Sequence, residues 1–375
     1  MKQHIVIDTR LYGPKHTGIG RYTKNLLIAL KKHPEFSKIK FSLIVYQDLE
    51  SEIKKDLGDS FNYVSTNIKH YSFKEQLFLP FILARLKPDL VHFTHFNKPI
   101  FYFGQSVITI HDLIKHFFKG SQNSTKNRLI YWPKYFFYRV FTNFAIKHND
   151  IIVPSDFWRD FILKKYKISP TKITTTHEAV DPSFLIKIDK TKVSLPEIGN
   201  YIIYTGNLYP HKNIEIIIKA LESLPQIKLK IICARNFFSQ KIEKIIQQSN
   251  LLNQVEFLGY IPDSEFNNIY SHALALVHPS LMEGFSLTGL EAMAFSCPVI
   301  SSNTSCLPEI YQDSVLYFDP TNPKDLVNQI NKLKKSPKLR QIMIKLGKLQ
   351  VNKYSWEKTA QKTFSIYKKI LEIRK

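Results

Sequence analysis

Two glutamates, Glu283 and Glu291, stand eight positions apart in HPSLMEGFSLTGLEAMAFSCPVISS, which runs from His278 to Ser302. A glycine-containing turn separates them, and an apolar helical stretch carries the second. The strand ALALVHPS ends at Pro279, the turn LMEGFSL follows, and a helix is predicted to begin near Ser286–Thr288. The unpaired N–H groups of a first helical turn attract an anion. The helix dipole adds roughly 0.3–2 kcal/mol to that attraction. Gly284 lets the backbone come close to the bound group. A carboxylate beside a phosphate pocket is repulsive unless it receives neutral hydroxyls, so Glu283 reads as a ligand for a sugar. Glu291, about one turn into the helix, could bridge ribose hydroxyls as an acidic residue does in dinucleotide folds. The alternative is a pair of solvated helix-start acids; loop, helix and spacing together favour the ligand.

Three further stretches carry residue types suited to the same chemistry. In YTGNLYPHKN, Gly206 ends a strand and Lys212 can reach a phosphate oxygen as a point charge. In VITIHDLIKH, His111 and Asp112 end a buried strand. The imidazole could hydrogen-bond a sugar or the reaction centre, with Asp112 orienting it. In GPKHTGIGRY, Gly18 and Gly20 precede Arg21 in a loop that falls short of a full G-x-G-x-x-G. His92, His95 and His116 raise the possibility of a metal, but a strand would send His92 and His95 to opposite faces. No Asp-x-Asp occurs in the chain. A diphosphate here would therefore be neutralised by Lys212 and helix N–H groups, with no metal and no other cofactor.

These residues need elements to hold them. The first half alternates strands (HIVIDT, KFSLIVY, PDLVHFTH, QSVITIHD, DIIVPSD) with helices such as RYTKNLLIALKKH and FWRDFILKKY. That rhythm predicts a parallel, doubly wound α/β sheet. It restarts after a polar, lysine-rich stretch with NYIIYTGN, NIEIIIKALESL, IKLKIIC, QVEFLGYIP, ALALVHPS and CPVISS. Two Rossmann-like domains are expected, residues 1–185 and 200–355, joined by a linker over 186–199. A last helix over 356–375, with Trp356, Phe364 and Tyr367, should pack back on one or both of them. With two such sheets, the cleft between the domains is the default ligand site.

Composition narrows the classes. In 375 residues, 44% hydrophobic and 13% aromatic content support a sizeable core. No run of eighteen apolar residues suggests a membrane-spanning helix, and MKQHIVIDTR reads as a buried strand, not a signal peptide. Cys233, Cys297 and Cys306 form no CxxC and fit unpaired thiols in a reducing cytoplasm. The formal charge of +22 favours nucleic acid, anionic lipid or a phosphorylated substrate. Residues 1–185 hold 28 Lys and Arg against 15 Asp and Glu, a net of +13, so the excess is heavier in the first half.

The EGFSLTGLEAMA stretch, with Glu283-x7-Glu291, resembles the signature of retaining glycosyltransferases of the GT-B fold, the large family four group. YGPKHTGIGRYTKNLL, TIHDL, VPSDFWRD, YTGNLYPHKN, LPEI…LYFDP and SWEKTA match in order, so the resemblance covers nearly the whole chain. It is nearest to mannosyltransferase-like members that build bacterial surface polysaccharides. The resemblance implies two Rossmann-like domains facing each other across a cleft. It implies transfer of a hexose from a nucleotide diphosphate sugar to a hydroxyl acceptor, with retention of configuration by same-face attack. Glu283 would contact donor-sugar hydroxyls, backbone amides at Gly284, Phe285, Ser286 and Leu287 would hold the diphosphate, and Glu291 would bind the ribose. His111 would lie near the transferred sugar, and Gly18, Gly20 and Arg21 near the diphosphate and acceptor. Asn207 stands where the family often has arginine, which removes one cation and leaves more to Lys212, His211 or Arg21. Thr288-Gly289, Ser296 and Ala179 are further departures that touch no catalytic side chain.

The implied partners are a nucleotide sugar and a glycan or lipid-linked glycan acceptor. The stretch from Lys126 to Lys147 holds five basic residues, eight aromatics and no acid. Its aromatics at 131, 135, 138 and 141–144 mark roughly one helical face, suited to an anionic headgroup layer. The expected location is cytoplasmic, with peripheral attachment to the inner face of the membrane. A glycan phosphorylase would need a pyridoxal-phosphate lysine for which no case is visible, and a nucleotide-sugar epimerase stays open on the same fold. A nucleic-acid-binding protein would need a recognisable motif, and none occurs, so no nucleic acid is expected.

Overall fold

The structure, a computed structural model, describes residues 2–13, 16–120, 128–186, 199–233, 237–259 and 261–372. Its contacts divide the chain into two units. One comprises Met1–Leu113, Asn127–Glu178 and Ser355–Lys375, and the other Ile114–Lys126 and Ala179–Tyr354. Most of the expected linker, residues 187–198, lies outside the described residues.

The first unit opens with β1 (His4–Asp8), α1 (Thr17–Lys31), β2 (Lys40–Tyr46), α2 (Glu50–Leu57) and β3 (Asn62–Thr66). It continues with α3 (Phe73–Leu86), β4 (Leu90–Phe93), β5 (Ser106–Thr109), α4 (Arg128–His148), β6 (Asp150–Val153), α5 (Asp156–Tyr166) and β7 (Ile173–Thr175). The second begins with α6 (Pro182–Ile186), β8 (Tyr201–Thr205), α7 (Glu215–Leu221), β9 (Lys228–Ile232) and α8 (Phe237–Gln248). Then come β10 (Val255–Phe257), α9 (Asp263–Ser271), β11 (Ala275–His278), α10 (Leu287–Ala294), β12 (Val299–Ser302) and α11 (Leu307–Tyr311). It ends with β13 (Leu316–Phe318), α12 (Pro323–Lys335) and α13 (Pro337–Val351), and the chain closes with α14 (Trp356–Glu372) in the first unit.

Among the described residues, the first unit holds a seven-stranded sheet in the order β3-β2-β1-β4-β5-β6-β7. The second holds a six-stranded sheet in the order β10-β9-β8-β11-β12-β13. Every pairing in both is parallel. The sequence dictates this: β1 (HIVID) and β11 (ALVH) are buried at every position, as strands covered by helices on both faces must be. Each order reverses once, between β1 and β4 and between β8 and β11, and ligands of such sheets bind past the carboxyl ends of the strands at that reversal.

Local capping fixes where helices start. Ser72 accepts the Glu75 N–H ahead of α3, and Ser336 accepts the Leu339 N–H ahead of α13, with Pro337 at the first turn. The expected last helix is α14, and it packs within the first unit. Trp356, Phe364 and Tyr367 are buried, Phe364 stacks on His33 with centroids 4.1 Å apart, and the Tyr367 hydroxyl meets His92 Nδ1 at 2.6 Å. His92 Nε2 meets Thr109 Oγ1 at 2.9 Å, and burial pushes this imidazole down to about 3. It is thus a neutral core residue.

Candidate functional site

The reversal in the second sheet brings two of the expected site residues into contact. The segment after β8 carries Gly206, Asn207 and Lys212; the segment after β11 carries Glu283, Gly284, Phe285 and Ser286 and leads into α10. Lys212 Nζ lies 2.7 Å from Glu283 Oε1 and 2.9 Å from Oε2. Burial alone would push the Glu283 carboxyl up, but the Lys212 ammonium and a His278 hydrogen bond outweigh it and hold the group well below the usual carboxylate range.

The two segments are tied together by their own polar groups. Leu281 donates its N–H to the His211 carbonyl at 2.8 Å. Asn213, at φ +54°, donates its side-chain amide to the carbonyls of Pro279 (3.2 Å) and Pro320 (2.9 Å), linking the ends of β8, β11 and β13. Ser302 and Thr304 hydroxyls donate to the Ser280 carbonyl at 2.5 and 3.0 Å. The Glu283 N–H donates to Ser305 Oγ at 3.1 Å, and the buried Cys306 thiol to the Glu283 carbonyl at 3.4 Å. Glu283 is therefore fixed through both backbone and side chain.

Behind it lies a relay that sequence reasoning missed. His278 Nε2 is 3.1 Å from Glu283 Oε1. A carboxylate only accepts, so Nε2 donates to it, and Ser286 Oγ and Tyr311 Oη each lie 3.2 Å from Nδ1. The Tyr311 hydroxyl receives the Gly289 N–H at 3.1 Å and donates to the Ser286 carbonyl at 3.1 Å. One of the orphan amides at the start of α10 is thus already satisfied, and the anion-binding capacity rests on the others. Ser286 precedes the helix at φ +84°. A methyl on Gly289 would lie 2.2 Å from the Tyr311 oxygen, so glycine is required where it departs from the resemblance. Phe285 turns its ring inward, 5.4 Å from Tyr354, which leaves its backbone as the part suited to a ligand. Glu291 and Leu287 are half-buried on α10, and Asn207 is exposed.

In the first unit, His111 follows β5. Its Nδ1 lies 3.1 Å from Glu178 Oε1 and its Nε2 3.1 Å from the Thr94 carbonyl, with Tyr22 edge-on at 4.7 Å. The carboxylate that orients this ring is thus Glu178, where the sequence reading assigned Asp112. Glu178 is 67 residues away, and adjacency along the chain could not reveal it. Gly18 and Arg21 lie in the first turns of α1. Gly20 has a packing reason of its own, since a Cβ there would lie 1.9 Å from the Gly13 carbonyl oxygen, whose residue pairs with it by Gly13 N–H to Gly20 O. Asp8, His70 and Glu75 bring ligand atoms within 4.8 Å of one another. The cation they surround is Arg10, 2.6 Å from both carboxylates. Burial pushes His70 down to about 4, so the group is a buried ion network that anchors α3 to β1.

The expected lipid-facing side of α4 is also corrected. Tyr131, Tyr135 and Tyr138 are half-buried and ring-packed, Tyr138 against Phe96 at 5.4 Å, because Thr142, Ala145 and Ile146 on the same side enter the core. Lys126 lies outside the described residues. No helix among the described residues is long and apolar enough to cross a membrane.

Comparison with known proteins is consistent over most of the chain. Residues 186–350 match the family model of glycosyl transferases group 1, and residues 16–184 that of Glycosyltransferase Family 4. The chain is similar to the O-antigen chain mannosyltransferase RfbU of Salmonella typhimurium, 26% identical over 89% of this chain and 92% of that one. It is also similar to the O-antigen chain mannosyltransferase B of Escherichia coli, 28% identical over 58% and 60%. Among solved structures, HepE of Anabaena in complex with UDP-glucose superposes with a TM-score of 0.70 at 15% identity, covering 98% of this chain and 99% of that one.

Proposed function

Because the chain belongs to the glycosyltransferases of group 1 and family four, with the GT-B fold, we propose that it moves a hexose from a nucleotide diphosphate sugar to a hydroxyl acceptor. Mannose is favoured, with retention of configuration. The observation that carries the reading is the Lys212–Glu283 pair at the strand reversal of the second sheet, beside the start of α10. In the unliganded pair Glu283 neutralises Lys212. A diphosphate would draw the ammonium onto its oxygens, and the carboxylate would then receive sugar hydroxyls. The amides near Gly284–Leu287 add donors for the departing diphosphate, and electrostatic stabilisation of that group is the main contribution to rate. Glu291 is assigned to the ribose, and His111, held by Glu178, to the transferred sugar.

The names of the O-antigen chain mannosyltransferase relatives support mannose and a polysaccharide acceptor, and a lipid-linked glycan is the form of acceptor we propose. The UDP-glucose complex of HepE supports a nucleotide sugar. With a lipid-linked acceptor the protein would work peripherally on an anionic membrane surface at the cytoplasmic side. Metal independence rests on Lys212 and the helix amides serving in place of an Asp-x-Asp site. A thermal-stabilisation screen of nucleotide sugars identifies the donor. Turnover of that donor in excess EDTA, with the product anomer read by NMR, tests the rest. Loss of activity in EDTA overturns metal independence, and an inverted product overturns retention.

A further inference from the structure

The outward surface of α3 and α4 is apolar where a helix layer normally meets water. The β3-to-β4 and β5-to-β6 connections both advance in the same direction along the sheet. Right-handed crossovers therefore put α3 and α4 on the same face of the first unit. On α3, Phe73, Leu77 and Phe81 point outward at i, i+4 spacing. On α4, Leu129, Trp132, Phe136 and Val140 form a second exposed stripe, and Leu129 is 82% exposed. Because the Tyr131–Tyr138 side of α4 is turned inward, this helix is apolar on both sides, which is unstable against water alone. Phe101 and Phe103, the latter 83% exposed, follow β4 and border a groove of about 490 Å³. Leu77, Pro80, Phe81 and Ala84 line its other wall.

On α3, α4 and residues 95–105 the exposed charges described have one sign. Lys74, Arg85, Lys87, Lys134 and Lys147 are exposed around the stripes. Residues 95–105 and α4 contain no Asp or Glu. The acid of α3, Glu75, is buried against Arg10. A second copy of the chain would set these cations against themselves across a two-fold interface. A surface of anionic headgroups over hydrocarbon satisfies both the rings and the cations.

We infer that the α3–α4 face, with the Phe101–Phe103 segment, docks on an anionic bilayer. The rings sit at the depth of the headgroups, and the groove takes hydrocarbon from the outer part of the leaflet. This gives the peripheral location proposed above a definite surface, different from the α4 side that the sequence suggested. The cations draw the face down, and each loses force as salt rises.

The chain reports this contact by itself. Of its three tryptophans, Trp158 and Trp356 are buried and Trp132, in the α4 stripe, is 44% exposed. The full chain is titrated with vesicles of phosphatidylcholine, with and without phosphatidylglycerol, while tryptophan emission and cosedimentation are followed. Phosphatidylglycerol vesicles should shift the emission to the blue and sediment the protein, and salt should reverse both. Phe101→Ser with Phe103→Ser should lower the partition coefficient at least tenfold, and Lys134→Gln with Lys147→Gln should flatten its salt dependence. Trp132→Phe should abolish the shift and keep the cosedimentation. An unshifted emission, equal binding to neutral vesicles, or a blue shift that grows with protein concentration in the absence of lipid would overturn the proposal. The last outcome would indicate a second copy on this face. None of these measurements depends on glycosyl transfer, so failure of the donor assignment would leave the result readable.

Discussion

Replacing Lys212 by methionine keeps the stem and removes the ammonium. Glu283 then stays buried, with His278 still 3.1 Å away but no ammonium beside it. Breaking a buried ion pair by deleting one member costs about 3–5 kcal/mol. Lys212 is 22% exposed, so water screens part of this, and about 2–3 kcal/mol is the working figure. For a unit of this size that corresponds to roughly 4–12 °C in unfolding temperature. The loss depends on pH in a definite direction. In the wild type the folded-state pKa of Glu283 is depressed, so its stabilisation is present above the unfolded value near 4.3 and fades as pH falls towards the folded value. Without Lys212, burial raises the carboxyl, and the variant recovers by taking up a proton. The gap between variant and wild type should therefore be widest near about pH 8 and narrow towards about pH 4.5. Scanning calorimetry across that range measures it, and Glu283→Gln added to Lys212→Met should restore most of the loss at neutral pH. Titration calorimetry supplies the functional arm: loss of a charged hydrogen bond worth about 1.5–3 kcal/mol should weaken nucleoside diphosphate binding by roughly 10–100-fold. A gap that does not change with pH would refute the ion pair, and unchanged diphosphate affinity would refute the donor role of Lys212.

Glu283→Gln alone should lower turnover at least tenfold while nucleoside diphosphate affinity stays the same or tightens, since Lys212 loses its competitor; weaker binding in calorimetry would contradict the assignment. Gly289→Ala should destabilise by about 1–3 kcal/mol through its clash with Tyr311, read as a drop in unfolding temperature. Gly18→Ala meets open space on α1 and should leave that temperature unchanged or raised, so a fall in donor affinity there would place a ligand at Gly18. Glu178→Gln should reduce turnover and alter its pH profile with little change in unfolding temperature, and Glu178→Asp should recover part of the rate; an unaltered profile would make the His111–Glu178 contact purely structural.

What the sequence made legible follows from where each signal was stored. β1, β2, β8 and β11 stand out because a strand covered on both faces is apolar over most of its length, and all four are buried but for the end residues Lys40, Tyr46, Tyr201 and Thr205. β3, β7 and β13 were not legible. Each lies at or near an end of its sheet, and β7 and β13 have only three residues, too few to print a period. Lys212 and Glu283 could be picked out because both lie on turns directly after predicted strands, where parallel topology gathers side chains. Their ion pair could not, since it joins positions 71 apart and depends on the register of β8 against β11.

The partners that hold the site were hidden for the same reason. Ser305, Cys306, Tyr311 and Glu178 belong to segments with no chemical pattern of their own, and only folding supplies their roles. His278 sat inside the quoted stretch, yet a histidine at the end of a buried strand reads equally as core. Its two nitrogens acquire meaning when Glu283 and Ser286 return to it from five and eight residues on. On α4 the error ran the other way: aromatics on all sides made the inward stripe as visible as the outward one. The sheet beneath decides between them, because Thr142, Ala145 and Ile146 enter the core and carry Tyr131, Tyr135 and Tyr138 inward with them. A repeating pattern can show that a helix has an apolar face, but when it has two, the element it packs against determines which one remains for a partner.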